Sequence, residues 1–355
     1  MPCSVTVWRI VSRIVFTVCL FTIPSGLVLA VDAPDPGSIP QEVLLEVLKQ
    51  QQKIAFVGIR TQTLFSDDPE QEDLVVRQRI LHTPPDEYRI EYLDRPEGEE
   101  SYILAKGGYL FQWETGGHVH ISERSPDQTL GLVISETYLD LLRKNYLIRA
   151  EEGERVAGRS TYEVRIDPHY AGRPSIKAWI DSTYGVPLKL EKYDSRGELK
   201  AKYEYQRIGF RARLRVESFS LPEGAETVNE VRGEEYATPG EFLRETERHA
   251  PLSNRLPAGF TLVKIRKGRS RGQVYLQSVY SDGYASLSIF AVTDTEDAPE
   301  GREKPGLRAI RSGSRLGSAY AIGWIGDVRV TIMGDVAESE LVDLLSTVQL
   351  TGNAP

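Results

Sequence analysis

The residue types that do catalysis are all present in this chain, but not in the spacings that catalysis needs. Five histidines, His82, His118, His120, His169 and His249, are scattered along it. His118 and His120 stand two apart in "HVHISE", which puts both rings on one side of a strand. Such a pair could begin a metal site, yet spacing supplies no third ligand, so it reads as two polar positions on a solvated strand. The nucleophile elbow G-x-S-x-G, the zinc motif H-E-x-x-H and the phosphate loop G-x-x-x-x-G-K-[ST] are all missing. "GSRLG" (Gly313–Gly317) is glycine-rich but lacks the lysine and following helix that would cradle phosphate. Carboxylates cluster in turns rather than singly in apolar runs, so acid–base work by a spatial pair stays a secondary reading, that of a secreted hydrolase. No catalytic residue, metal or cofactor is assigned, and the leading expectation is a protein that binds rather than an enzyme.

One polar stretch tests that expectation. "YSDGYASLSIFAV" (Tyr280–Val292) gathers three serines, an aspartate and two tyrosines around a glycine. The preceding "QVYLQSVY" reads as a strand, Ser281-Asp282-Gly283 as a turn with Gly283 free to take positive φ, and the rest as a second strand. Alternation then sends Ala285, Leu287, Ile289 and Ala291 to one face and Ser286, Ser288 and Phe290 to the other. With no histidine nearby in sequence, the serines read as strand-face residues and Asp282 as a turn cap.

Two groups suit binding. "RKGRSRG" concentrates Arg266, Lys267, Arg269 and Arg271 at one predicted turn, a candidate contact for anionic lipid headgroups or an acidic partner segment. The plainer reading is a solvated hairpin tip whose charges discourage edge pairing. The aromatics Tyr88, Tyr92, Tyr102, Tyr109, Phe111 and Trp113 recur on neighbouring predicted strands. On a twisted sheet covered by helices, Tyr88, Tyr92, Tyr109, Phe111 and Trp113 are the candidate lining of an apolar, ligand-sized hollow. Ordinary core is the competing reading.

The elements that must position these residues are mostly strands. "IPQEVLLEVLKQQQ" and "SETYLDLLRKNYL" carry helical stripes, the second through Leu139, Leu142 and Tyr146. Between and after them come β-branched and aromatic runs divided by "SDDPEQED", "TPPD", "RPEGEE", "KGG", "TGG", "STYG" and "DSRG", the pattern of an antiparallel meander. The chain ends in "AESELVDLLSTVQL", where Leu341, Leu344, Leu345 and Val348 make a helical stripe. The predicted class is mainly β with flanking helices (α+β).

At 355 residues the chain exceeds the usual single domain. The expected division is a signal peptide over residues 1–30, a domain over 38–224, an acidic linker over 225–254 and a second domain over 255–352. The leader reading rests on Arg9 and Arg13, the apolar run Ile14–Ile23 and small residues near Ala30, with Ala33 a second cut point. The run is too short to span a bilayer. Cys3 and Cys19 both fall inside it, which would leave the mature chain without thiols. The net charge of −8, with both signs interleaved, argues against a nucleic-acid binder.

Several strings resemble the MucB/RseB-type periplasmic regulators of the envelope-stress sigma factor. They are "FVGIRTQTLF", "RILHTPPDEYRIEYLDRPEG" and "AWIDSTYGVPLKLEKYDSRGEL" toward the N-terminus, then "LPAGFTLVKI", "VYSDGYASLSIFAV" and "GSAYAIGWIGDVRVTIMGDV". The resemblance implies a LolA-like unclosed antiparallel β-barrel with a helical lid, followed by a smaller antiparallel sheet-plus-helix domain. It also implies export to the periplasm and binding to the periplasmic domain of a membrane anti-sigma factor. Lipopolysaccharide or the acyl chains of lipoproteins would be the relieving signal, and a homo-oligomer is left open. A periplasmic lipid or lipoprotein carrier of the LolA type is the alternative, because one fold hosts both roles.

Overall fold

The computed structural model describes residues 39–68, 70–96, 100–123, 136–270, 273–293, 307–315 and 318–350. The segment read as a leader, with both cysteines, and Arg271 lie outside them. Among the described residues no helix is long and apolar enough to cross a membrane.

The first half opens with helix α1 (Gln41–Gln50), whose Leu44 and Leu48, one turn apart, are both buried. Six strands follow as a meander: β1 (Phe56–Leu64), β2 (Leu74–Thr83), β3 (Glu87–Tyr92), β4 (Tyr102–Lys106), β5 (Tyr109–Glu114) and β6 (His118–Glu123). Helix α2 (Glu136–Asn145) leads into β7 (Tyr146–Val156), β8 (Arg159–Pro168), β9 (Ser175–Asp181), β10 (Pro187–Tyr193) and β11 (Leu199–Phe210). β11 pairs with both β1 and β10, so the eleven strands run β6-β5-β4-β3-β2-β1-β11-β10-β9-β8-β7, antiparallel throughout. Among the described residues β6 and β7 do not pair with each other, and the sheet stays unclosed. The expected stripe through Leu139, Leu142 and Tyr146 is split, since the helix stops at Asn145 and Tyr146 already belongs to a strand.

The acidic stretch expected to act as a linker carries strand β12 (Glu226–Tyr236), helix α3 (Pro239–Thr246) and the short strand β13 (Leu252–Ser253). Thr238 caps α3 by accepting from the Glu241 amide, while the Glu241 carboxylate accepts from the Ala237 amide, and Pro239 starts the helix. The second half contains β14 (Thr261–Ser270), β15 (Gln273–Ser281), β16 (Ser286–Thr293), β17 (Leu307–Arg315), β18 (Ser318–Ile325) and β19 (Val328–Gly334). Helix α4 (Glu338–Leu345) and strand β20 (Val348–Gln349) close it. Its sheet runs β14-β15-β16-β19-β18-β17. Leu341, Leu344 and Leu345 of α4 bury against Leu287, Ile289, Ala321 and Ile332. Val348, expected on that helical stripe, joins the same core from β20, which pairs with β13.

β12 joins the two sheets. Its first part runs parallel to β6, from Glu226 opposite His118 to Val231 opposite Ser122. From Arg232 to Tyr236 it is antiparallel to β14. Two features that looked unrelated in the sequence are cross-strand neighbours here: Glu234 lies opposite Lys267 and Glu235 opposite Arg266.

Candidate functional site

The register separates the aromatic candidates. Directly paired residues share a face, and Tyr88, Ala105 and Leu110 are opposite one another, as are Gln78 and Tyr92. Tyr88 and Tyr92 thus sit on the face that carries Phe56 and Ile80. Trp113 lies opposite Tyr102 and Phe111 opposite Leu104, which puts Tyr109, Phe111 and Trp113 on the other face. The sheet therefore brings two of the five together and turns three away.

The first face has a polar strip that the sequence did not flag. Arg60 is buried and donates from Nε to Gln78 Oε1 at 2.8 Å, and Gln78 Nε2 donates to Gln62 Oε1 at 2.9 Å. The Arg60 guanidinium also lies over the Tyr203 ring, 4.9 Å from its centroid. Burial pushes the Tyr92 phenol up to about 12, with the charges of Arg60 and Arg95 opposing. The second face is covered by chain. Leu214, Phe219 and Leu221 pack on Val57, Leu81, Leu104, Phe111 and Trp113, and the Tyr102 and Trp113 rings stack 6.1 Å apart. Tyr109 stays 40% exposed.

The basic run is largely neutralised. Lys264 and Arg266 pair with Glu235 at 2.8 and 3.2 Å, and Lys267 approaches Glu234 at 3.7 Å. Arg266, Lys267 and Arg269 belong to strand β14 rather than to a turn, and of these Arg269 is exposed.

The histidines have structural surroundings where their contacts are defined. His82 stacks on Phe56 at 4.8 Å, and its Nδ1 lies 2.9 Å from the Ile54 carbonyl oxygen. His120 faces Glu114 at 4.0 Å. Among the described residues the acidic group able to hold a metal is Asp67, Asp194 and Glu198, and it contains neither histidine of the His118/His120 pair. Its charges are met by Lys200, 2.7 Å from Asp67 and 2.6 Å from Glu198, so it reads as an ion-pair network.

The stretch "YSDGYASLSIFAV" is a hairpin, with β15 and β16 paired from Ser281 opposite Ser286 onward. Ala285, Leu287, Ile289 and Ala291 are buried, as their alternation predicted. Asp282 caps the turn: its Oδ1 accepts from the amides of Tyr284 and Ala285 at 3.1 and 2.8 Å. The serines are occupied structurally. Ser281 Oγ donates to the Ala285 carbonyl, and Ser286 and Ser318 donate to Asp335. An activated nucleophile is therefore not what this stretch provides.

What it provides is a seam between the halves. Asp282, with 0% exposure, accepts at Oδ2 from the Tyr146 hydroxyl at 3.0 Å. Asn145 Nδ2 donates to the Asp282 and Gly259 carbonyls at 2.7 and 3.3 Å. From the β8–β9 connection, Arg173 reaches across to Glu340 at 2.8 Å and stands 3.8 Å from Asp282. Its guanidinium also faces the Phe260 ring at 5.2 Å. Tyr284 enters the core formed by α1, α2 and β7–β10, meeting Tyr146 edge-on at 5.8 Å. Gly283 has φ +106°, and a Cβ there would stand 2.4 Å from the Leu142 amide nitrogen. Desolvation pushes the Asp282 carboxyl up to about 6, against hydrogen bonds from Tyr284, Tyr146 and Ala285 and the Arg173 charge. Sequence could mark the turn, but the groups meeting it come from positions 136 and 109 residues earlier, Tyr146 and Arg173.

The fold and these sites define a mostly β protein of two sheets held in one arrangement by a strand and a buried polar seam. Residues 70–223 match the family model of the MucB/RseB N-terminal domain. That segment is similar to the N-terminal domain of MucB/RseB proteins. The whole chain is similar along 87% of its length to 98% of a chain in the complex of MucA and MucB from Pseudomonas aeruginosa, at 16% identity and a TM-score of 0.59. A structure of MucB with MucA(peri) gives 18% identity and a TM-score of 0.59 over 88% of this chain and 99% of that one. MucB alone gives 17% and 0.51, over 88% of this chain and 98% of that one. At such identities these likenesses establish a common fold. No curated protein matches the sequence.

Proposed function

We propose that this chain is an exported, non-enzymatic regulator that binds the periplasmic part of a membrane anti-sigma factor. The observation that carries the reading is the fold likeness, over 87% and 88% of the chain, to proteins solved as MucA/MucB and MucB–MucA(peri) complexes. Residues 38–224 form the larger domain in this reading, 225–254 the connection and 255–352 the smaller domain, whose surface contributes much of the partner contact. The face bearing Tyr88 and Tyr92 is the one offered to acyl chains of lipid or lipoprotein, with lipid and partner favouring different states of the molecule. A carrier of the LolA type would use that face alone and leave the second sheet without a role.

The test is affinity capture with the tagged chain from detergent-solubilised native envelope, followed by mass spectrometry. Recovery of a single-span protein whose cytoplasmic part binds a sigma factor is the expected result. Recovery of lipoproteins or lipid without any such protein would favour the carrier and overturn the regulator.

A further inference from the structure

A cluster of positive charge on the described surface lies at a position that sequence reading passed over. Residues 207–216, "RIGFRARLRV", carry four arginines and no acid in a chain of net charge −8. Arg207, Arg211, Arg213 and Arg215 are all exposed. None of the four has an ion pair among the described residues, whereas Lys264, Arg266 and Lys267 are matched to Glu234 and Glu235.

The backbone explains the display. Beyond β11 the chain crosses the outer face of β1–β5 as a strap, with Ala212 and Leu214 half-buried between exposed Arg211, Arg213 and Arg215. Its inward side is fastened: the Ala212 amide donates to the Ala55 carbonyl, Arg89 donates to the Ser218 carbonyl and Lys106 to that of Phe219. Extended backbone places Arg211 and Arg215 about 13 Å apart at most. Val216, next in the strap, is 76% exposed, and Tyr109 emerges from the same sheet face. Glu217 is the single carboxylate between residues 211 and 221.

We propose that this strap is a docking surface for a bilayer bearing anionic phospholipid. Guanidinium groups match phosphate oxygens in a bidentate way, and clustered cations near a membrane add attraction roughly residue by residue. The partner must suit a raised ridge whose side chains stand outward, because the grooves beneath are filled by Leu214, Phe219 and Leu221. A flat headgroup layer meets that shape, and an exposed valine with an amphipathic tyrosine suits its boundary. The proposal is independent of the anti-sigma reading and would stand if that reading failed.

Co-sedimentation of the purified chain with vesicles tests it. Binding is expected to vesicles containing phosphatidylglycerol, to be weak on phosphatidylcholine alone, and to fade between 0.1 and 0.5 M salt, conditions set by a Debye length of about 10 Å at ~0.1 M. R211Q, R213Q and R215Q should each lower partitioning about fivefold, from about 1 kcal/mol per arginine. The R244Q/R248Q double variant, at exposed positions in the last turn of α3 and just beyond it, should bind as the parent does. Circular dichroism checks that each single variant remains folded. Equal binding to neutral vesicles, unchanged binding of all three single variants, or binding of an acidic peptide in place of vesicles would overturn the proposal.

Discussion

Asp282 is a carboxylate taken out of water at the meeting point of the two halves. The groups facing it are the phenols of Tyr146 and Tyr284 and the Arg173 guanidinium, whose other carboxylate partner is Glu340. Its carboxyl titrates at about 6 in place, against 3.8 for the free group. The folded chain therefore holds that proton more tightly than the unfolded one. Ionised Asp282 subtracts stability above about pH 6, and the loss is recovered as pH falls from about 6 towards 4, by up to about 3 kcal/mol. Carboxylates such as Asp94, held below the usual range by a hydrogen bond from Arg77, act in the opposite sense. The Asp282 contribution is therefore isolated by comparing the parent with D282N, whose amide oxygen can still cap the turn. Denaturant unfolding between pH 7 and 4.5 should show the parent gaining on D282N by 1–3 kcal/mol, an order-of-magnitude expectation. Parallel profiles would remove Asp282 from any role in pH response.

At the scale of elements, the β15–β16 turn and α2 approach so closely that one atom decides the fit. A Cβ at position 283 would stand 2.4 Å from the Leu142 nitrogen and 2.8 Å from the Leu141 carbonyl carbon, and φ there is +106°. Both contacts are backbone, so neither can swing aside. G283A should cost more than about 2 kcal/mol in chemical unfolding, adding the strain of positive φ to the clash. G224A, in an exposed turn with positive φ and open space around it, should cost only the backbone strain of about 1 kcal/mol. A similar loss in both would mean that the hairpin is not seated on α2. This junction marks how far sequence could be read. Alternation through Leu287, Ile289 and Ala291, the helical leucines of α1 and α4, and the Ser-Asp-Gly turn were all legible, because each is a local pattern. The strand in the acidic stretch was not. "AETVNEVRGEEY" has little apolar alternation, and its partners are charges on β14 that sequence separation hides. The five aromatics expected to line one hollow divide between two faces: Tyr88 and Phe111 are both strand aromatics, but only pairing decides which face each takes.

For the whole molecule, the question is whether two sheets behave as one body. β12 runs from a pairing with β6 into a pairing with β14, so the hydrogen-bonded ladder does not stop between the halves. Tyr284 contributes to the first half's core from the second half's hairpin, and Arg173 links the first half to α4 through Glu340. Loss of either link should leave each sheet its own core, since Leu287, Ile289, Val330 and Ile332 pack without the first half. R173A removes the cation beside buried Asp282 and Glu340, a change of about 3 kcal/mol at a buried pair. Y284A empties an aromatic site shared by the halves, worth about 3–5 kcal/mol. Calorimetry of the parent should give one cooperative endotherm, because neither half can open without breaking the seam. The R173A/Y284A double variant should resolve into two, the order of the transitions reporting which half is the less stable. One endotherm in both proteins would mean that β12 alone couples the sheets. Two in the parent would mean that the seam does not couple them, and that partner or lipid could reorient the halves with little resistance from Asp282.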